Sequence, residues 1–150
     1  MIPTPEVRRL TPPTLDAFPL RTHEKLRYAD TDRQGHINNA VFATMLETGR
    51  VELLYNSERP LAEPGCSFVI ARLVLDFLAE IKWPGRVDIG TRIAAIGRSS
   101  TTLDQALFQE GNCVATATTV IVNINGAGRG QPFSDCALET LKSYLPAGSQ

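Results

Sequence analysis

The chain has 150 residues, 43% apolar and 21% charged, and its fifteen Lys plus Arg against sixteen Asp plus Glu give a formal net charge of −1. This is the size and composition of one globular domain that can bury a core unaided, which excludes collagen-like, disordered and disulfide-scaffold chains. The charge balance offers no electrostatic basis for nucleic-acid binding. Apolar runs such as Phe68-Val69-Ile70-Ala71 are cut by Arg72, far short of the about 20 residues of a membrane-spanning helix.

The start, Met1-Ile2-Pro3-Thr4-Pro5-Glu6, lacks the basic and apolar regions of a secretory signal, so a cytoplasmic location is expected. Five of the ten prolines (Pro3, Pro5, Pro12, Pro13 and Pro19) precede Leu20. Fixed φ angles and missing N–H donors forbid regular helix there and predict an extended tail over residues 1–20, outside the core, with one domain over 21–150. Arg21 to Tyr28 reads as a polar strand, with Leu26 and Tyr28 on one side and Arg21, His23, Lys25 and Arg27 on the other.

From Asn38 to about Glu58, Val41, Phe42, Met45, Leu46, Leu53 and Leu54 recur at helical spacing, with Asn38 or Asn39 as the cap and Pro60 as the limit. After Gly65 the period changes to two. Val69, Ala71, Leu73, Leu75 and Phe77 alternate with Ile70, Arg72, Val74 and Asp76, predicting a strand with one drier face. Strands follow at Val87 to Ala95, Leu103 to Leu107 and Cys113 to Asn123, joined by Gly97-Arg98-Ser99-Ser100 and Glu110-Gly111-Asn112. A closing helix is expected over Ser134 to Leu145. One strand, one long helix and four further strands predict an α+β fold in which a curved antiparallel sheet wraps a central helix. Cys66, Cys113 and Cys136 are odd in number and form no CxxC pair, so they read as buried or incidental thiols, with no metal implied.

The chemistry is concentrated in Tyr28-Ala29-Asp30-Thr31-Asp32-Arg33-Gln34-Gly35-His36-Ile37-Asn38-Asn39. Asp30 and Asp32 suit a turn, Gly35 a positive φ, and Asn38 a helix cap. The same order also supplies a carboxylate followed by a helix entry, whose unpaired N–H groups polarise a carbonyl while the carboxylate attacks it or activates water.

This segment resembles the signature of the hotdog-fold acyl-CoA thioesterases related to 4-hydroxybenzoyl-CoA thioesterase: an aromatic residue (Tyr28), Asp-x-Asp (Asp30, Asp32), Gly35, then the central helix with Phe42, Glu47 and Arg50. Pro84-Gly85, Arg98-Ser99-Ser100 and Gln109-Glu110-Gly111 extend the likeness over roughly Arg21 to Asn125. His36-Ile37-Asn38-Asn39 is similar to the His-Val-Asn-Asn variant of fatty acyl-CoA and plant acyl-ACP thioesterases. The resemblance implies a hotdog fold assembled as a homodimer or homotetramer, hydrolysis of acyl-CoA thioesters, and no organic cofactor. It makes Asp32 the catalytic carboxylate, the backbone amide near Asn39 the carbonyl-polarising donor, and His36 either a proton-transfer group or an orienting one. Tyr28 and Gly35 are placed at the substrate. Arg86, Arg98 and Lys82 are the basic residues proposed for the phosphates of coenzyme A. Glu47 is expected to pair with Arg50 at i+3. The alternatives are an acyl-ACP thioesterase, a hotdog hydratase or dehydratase working through His36, and a non-catalytic acyl-CoA-binding module.

Overall fold

The computed structural model describes residues 11–146. Five strands, β1 (Leu20–Lys25), β2 (Ser67–Phe77), β3 (Arg86–Ile96), β4 (Ser100–Gln109) and β5 (Asn112–Ile124), form one antiparallel sheet in the order β1-β3-β4-β5-β2. The long helix α1 (Asn39–Leu54) lies on one face, and a shorter α2 (Asp135–Ser143) follows the last strand. The predicted α+β hotdog fold is present, with its one long helix against a five-stranded sheet. Glu110 (φ 50) and Gly111 (φ 80) both take left-handed backbone in the β4–β5 turn, the combination that matches a hairpin's right-handed twist.

Several element boundaries differ from the sequence reading, each for a local reason. β1 stops at Lys25 rather than Tyr28, because Tyr28–Asp30 form a 3-10 turn closed by Asp30: Arg27 N–H donates to its Oδ2 at 2.9 Å and Arg27 Nη2 to its Oδ1 at 2.8 Å. α1 ends at Leu54 instead of reaching Glu58. There the Asn56 side-chain oxygen accepts from the N–H groups of Glu58 (2.9 Å) and Arg59 (3.1 Å), a local alternative to further helix. At the other end Asn38 Oδ1 caps α1 by accepting from Ala40 N–H at 2.9 Å, and Ser134 Oγ caps α2 from Ala137 N–H at 3.1 Å.

The core fills the space between α1 and the sheet. Phe42, Met45 and Leu46 meet Ile89, Leu107 and Ala115 in one cluster, while Leu53 and Leu54 meet Ile93, Leu103 and Ile121 in a second, which Phe133, Ala137 and Leu141 close from the α2 side. The helix sits unusually near the strands at Gly49, where a Cβ would stand 2.7 Å from Thr91 Oγ1 and 2.8 Å from Gln105 Nε2. That approach corrects the expected Glu47–Arg50 pair. Arg50 is buried and turns toward β4, its Nη1 3.4 Å from Gln105 Oε1, whereas Glu47 is exposed. No ion pair joins the two among the described residues.

Residues 1–10 of the proline-rich segment lie outside the described residues. In the described part, Leu15–Ala17 form a 3-10 turn and Phe18 is buried, contrary to the expectation of a segment outside the core. Its ring packs on the sheet face opposite α1, edge-on to Phe108 at 6.2 Å between centroids and with Arg92 Cζ 4.8 Å from its centre. Gly90 makes room for it, since a Cβ there would lie 2.6 Å from the ring.

β2 also departs from the reading. Val69, Ile70, Leu73, Val74 and Phe77 are all more than a third exposed, and the strand reaches the core chiefly through the half-buried Phe68 and Leu75. It is an edge strand that pairs only with β5, while α1 packs mainly over β1, β3 and β4.

Candidate active site

The segment from Thr31 to Asn39 is a compact turn built around Asp32. Its Oδ1 accepts from Gln34 N–H at 2.8 Å and from His36 N–H at 3.1 Å, and Gly35 N–H donates to the Asp32 carbonyl at 3.1 Å. Gly35 holds φ +81, which explains a glycine in this turn. The exit of the turn is stitched to the β2–β3 connection, with Ile37 N–H donating to the Ile81 carbonyl at 3.0 Å and His36 bridged to Lys82. One carboxylate oxygen of Asp32 is thus fixed by the backbone, and Oδ2 has no partner among the described residues.

Asp32, Gln34, His36, Ile37, Asn39 and Phe42 line an open cavity of about 390 Å³, completed by Phe77, Leu78, Ala79 and Glu80. Asn39 is the first residue of α1, so its N–H has no intrahelical partner and carries the partial positive charge of the helix start. Ala40 N–H, by contrast, is taken by the Asn38 cap. On the same cavity, Nε2 of His36 lies 3.2 Å from Oε2 of Glu80.

Of the sequence-predicted site residues, Asp32, His36 and Asn39 come together on this cavity. Asp30 does not. It is buried beside Arg27, whose guanidinium hydrogen bonds hold its carboxyl below the usual carboxylate range. Tyr28 is exposed and packs edge-on to Trp83 at 5.4 Å, and Gly35 shapes the turn without lining the cavity. Arg86 stands at the start of β3, 3.2 Å from Asp88, with Lys82 just before it. Arg98 lies in the β3–β4 hairpin, past the far end of an 11-residue strand, about 35 Å of extended chain from Arg86. Within one chain it cannot serve the same phosphate group as Arg86. Glu80, Phe77 and Leu78 were not singled out from the sequence. Among the described residues no set of His, Cys, Asp and Glu is grouped to hold a metal ion, and no helix is long and apolar enough to cross a membrane.

The five-stranded sheet and long helix carry a cavity lined by Asp32 and the start of α1, and residues 26–141 match the family described as the thioesterase-like superfamily, to which the chain belongs. The acyl-CoA thioester hydrolase YbgC of Escherichia coli is 24% identical over 112 residues, spanning 73% of this chain and 81% of that protein. Among solved structures, a Thermus thermophilus thioesterase complexed with coenzyme A and Zn is 30% identical, with a TM-score of 0.75 over 86% of this chain and 96% of its own. A predicted thioesterase from Bacillus stearothermophilus is 28% identical, with a TM-score of 0.73 over 83% and 95%.

Proposed function

We propose that the protein hydrolyses acyl-CoA thioesters to the free acid and coenzyme A. The observation that carries this reading is that Asp32 and Asn39, the first residue of α1, line one cavity. With the thioester carbonyl at the start of α1, the unpaired N–H and the helix dipole stabilise the oxyanion that forms as the carbon becomes tetrahedral. Asp32, held through Oδ1, presents Oδ2 as the base that takes a proton from water or as the nucleophile. The YbgC likeness and the coenzyme A complex of the Thermus relative support the acyl-CoA class. Lys82 and Arg86, at the cavity end of the sheet, supply positive charge for coenzyme phosphates, with no cofactor required.

The assembly that goes with this reading is a homodimer, or a tetramer of two such dimers. The outer edge of β2 is unpaired in the sheet, its apolar side chains are exposed, and Phe77 at its end lines the cavity. A second copy on β2 therefore covers an open edge and walls the site at once.

The test is release of free thiol from short, medium, long and aromatic acyl-CoAs, with acyl-ACP in parallel. Turnover of at least one acyl-CoA is expected, and Asp32→Asn should lower it roughly 10²-fold or more with the fold retained. Saturable binding without thiol release from any of them would instead mark a non-catalytic binding module.

A further inference from the structure

The cavity holds a charged group that the reading above leaves idle. Glu80 stands in the β2–β3 connection, and its Oε2 is 3.2 Å from Nε2 of His36. Backbone geometry sets this contact. The His36–Lys82 bridge and the 3.0 Å bond from Ile37 N–H to the Ile81 carbonyl run the two segments side by side. Gln109 then clamps the far side: Lys82 N–H donates to its Oε1 at 2.9 Å, and its Nε2 donates to the Lys82 carbonyl at 2.8 Å. Ile81, between them, is fully buried. Glu80 thus reaches His36 from a segment anchored on its C-terminal side.

A carboxylate beside one ring nitrogen favours the proton on that nitrogen, since an N–H facing the anion is attracted and a lone pair repelled. We propose that Glu80 is a positioning residue for His36, keeping Nε2 protonated and leaving Nδ1 as the nitrogen that exchanges a proton with the departing thiol. This rests on the hydrolysis reading and deepens it. Water adds to the carbonyl carbon, forming the C–O bond, and gives one proton to Asp32. The C–S bond then breaks with its electron pair on sulfur, and His36, protonated at both nitrogens, passes the Nδ1 proton to the thiolate. The proton on Asp32 returns to His36 through solvent, so the products are acid and thiol and both side chains are restored. Nδ1 has no partner among the described residues that would compete for this role.

The charged groups on the segments around His36 are Asp32 and Arg33 on its own loop and Glu80 and Lys82 on the facing connection. The first turn of α1, Asn39-Ala40-Val41-Phe42, brings none, and the end of β2 meets the cavity with Phe77 and Leu78. Glu80 is therefore the carboxylate that faces Nε2 of His36.

The experiment compares kcat and histidine nitrogen NMR for the wild type, Glu80→Gln, Glu80→Asp and Glu80→Gln in a His36→Ala background. Glu80→Gln should lower kcat roughly tenfold with unchanged melting, while Glu80→Asp restores most of the loss. In the wild type the His36 resonances should report Nε2–H, and Glu80→Gln should mix the two tautomers. A tautomer unchanged by Glu80→Gln would overturn the proposal, as would an equal loss of rate without His36. If no acyl-CoA is turned over at all, the hydrolysis reading fails, and the NMR arm alone still decides whether Glu80 sets the His36 tautomer.

Discussion

Gln105 Nε2 donates at 2.9 Å to the carbonyl of Leu46, tying the middle of β4 to the middle of α1. The same amide nitrogen reaches Thr91 Oγ1 at 2.9 Å, and its oxygen faces Arg50 Nη1 at 3.4 Å. All of these groups are buried, and burial pulls the Arg50 guanidinium below its usual pKa, with Glu47 partly opposing. The central helix is thus held by a polar clamp inside an apolar core.

Removing the clamp should be costly. Gln105→Leu leaves Thr91 without its buried partner and Arg50 without its acceptor, a loss of about 2–3 kcal/mol. In a chain of this length, thermal melting should fall roughly 5–10 °C, and an unchanged midpoint would show that the network adds nothing.

Gly49→Ala should destabilise, although on an open helix surface the same change gains about 1 kcal/mol. The new Cβ would meet Thr91 Oγ1 at 2.7 Å, Gln105 Nε2 at 2.8 Å and Ile89 Cγ2 at 2.9 Å. Forcing α1 off the sheet should cost about 1–3 kcal/mol, read from denaturant midpoints.

Asp30 should set part of the acid stability. Its carboxyl is lowered in the folded state, first by the hydrogen bond from the Arg27 side chain. Its contribution is therefore complete above the unfolded value near pH 4 and is lost as pH falls through the lower folded value. Urea midpoints for Asp30→Asn should lie below wild type at neutral pH and converge with it in acid, whereas a constant offset would contradict this. Thiol release should fall much less than in Asp32→Asn.

Phe18→Ala tests the segment before β1. The ring is buried against Phe108 and Arg92 on the face away from α1, so truncation should cost about 3 kcal/mol. A change within error would return the segment to the surface role that its prolines suggest.

Ile70→Lys with Val74→Lys tests the edge of β2. Both side chains are exposed, so the single chain should tolerate lysine, but a strand edge joined to a second copy should not. Light scattering of the wild type should show an even-numbered oligomer and the double variant a monomer. A wild-type monomer with full turnover would refute the assembly.

The periodic elements were legible because their pattern is local. The helical spacing from Phe42 to Leu54 and the alternation from Val87 to Ile93 each record one buried face, and both are where they were expected. Asp32, His36 and Asn39 were legible for the same reason, being consecutive in one loop and helix start. Glu80 was not, since only the short ladder between 36–37 and 81–82 brings it to His36, and the segment around Glu80 has no distinctive pattern of its own. Phe18 was hidden by its neighbours: proline restricts the backbone without saying what an intervening side chain will touch. Glu47 and Arg50 have the spacing of a pair, but the close approach at Gly49 offers the arginine a partner on the sheet instead.

The ring of Phe42 meets that of Phe77 edge-to-face at 5.0 Å, one ring buried in the core and the other half-exposed at the end of β2. Beneath Phe42 the packing continues without a break through Met45 and Leu46. On the proposed reading an acyl group in the cavity meets this pair, since both rings line it. Chain-length preference and folding stability then reside on opposite sides of a single aromatic contact. Reshaping Phe77 should retune which acyl groups are accepted while the hydrophobic interior stays intact, so the selectivity of this scaffold can drift without first surviving a weakened fold.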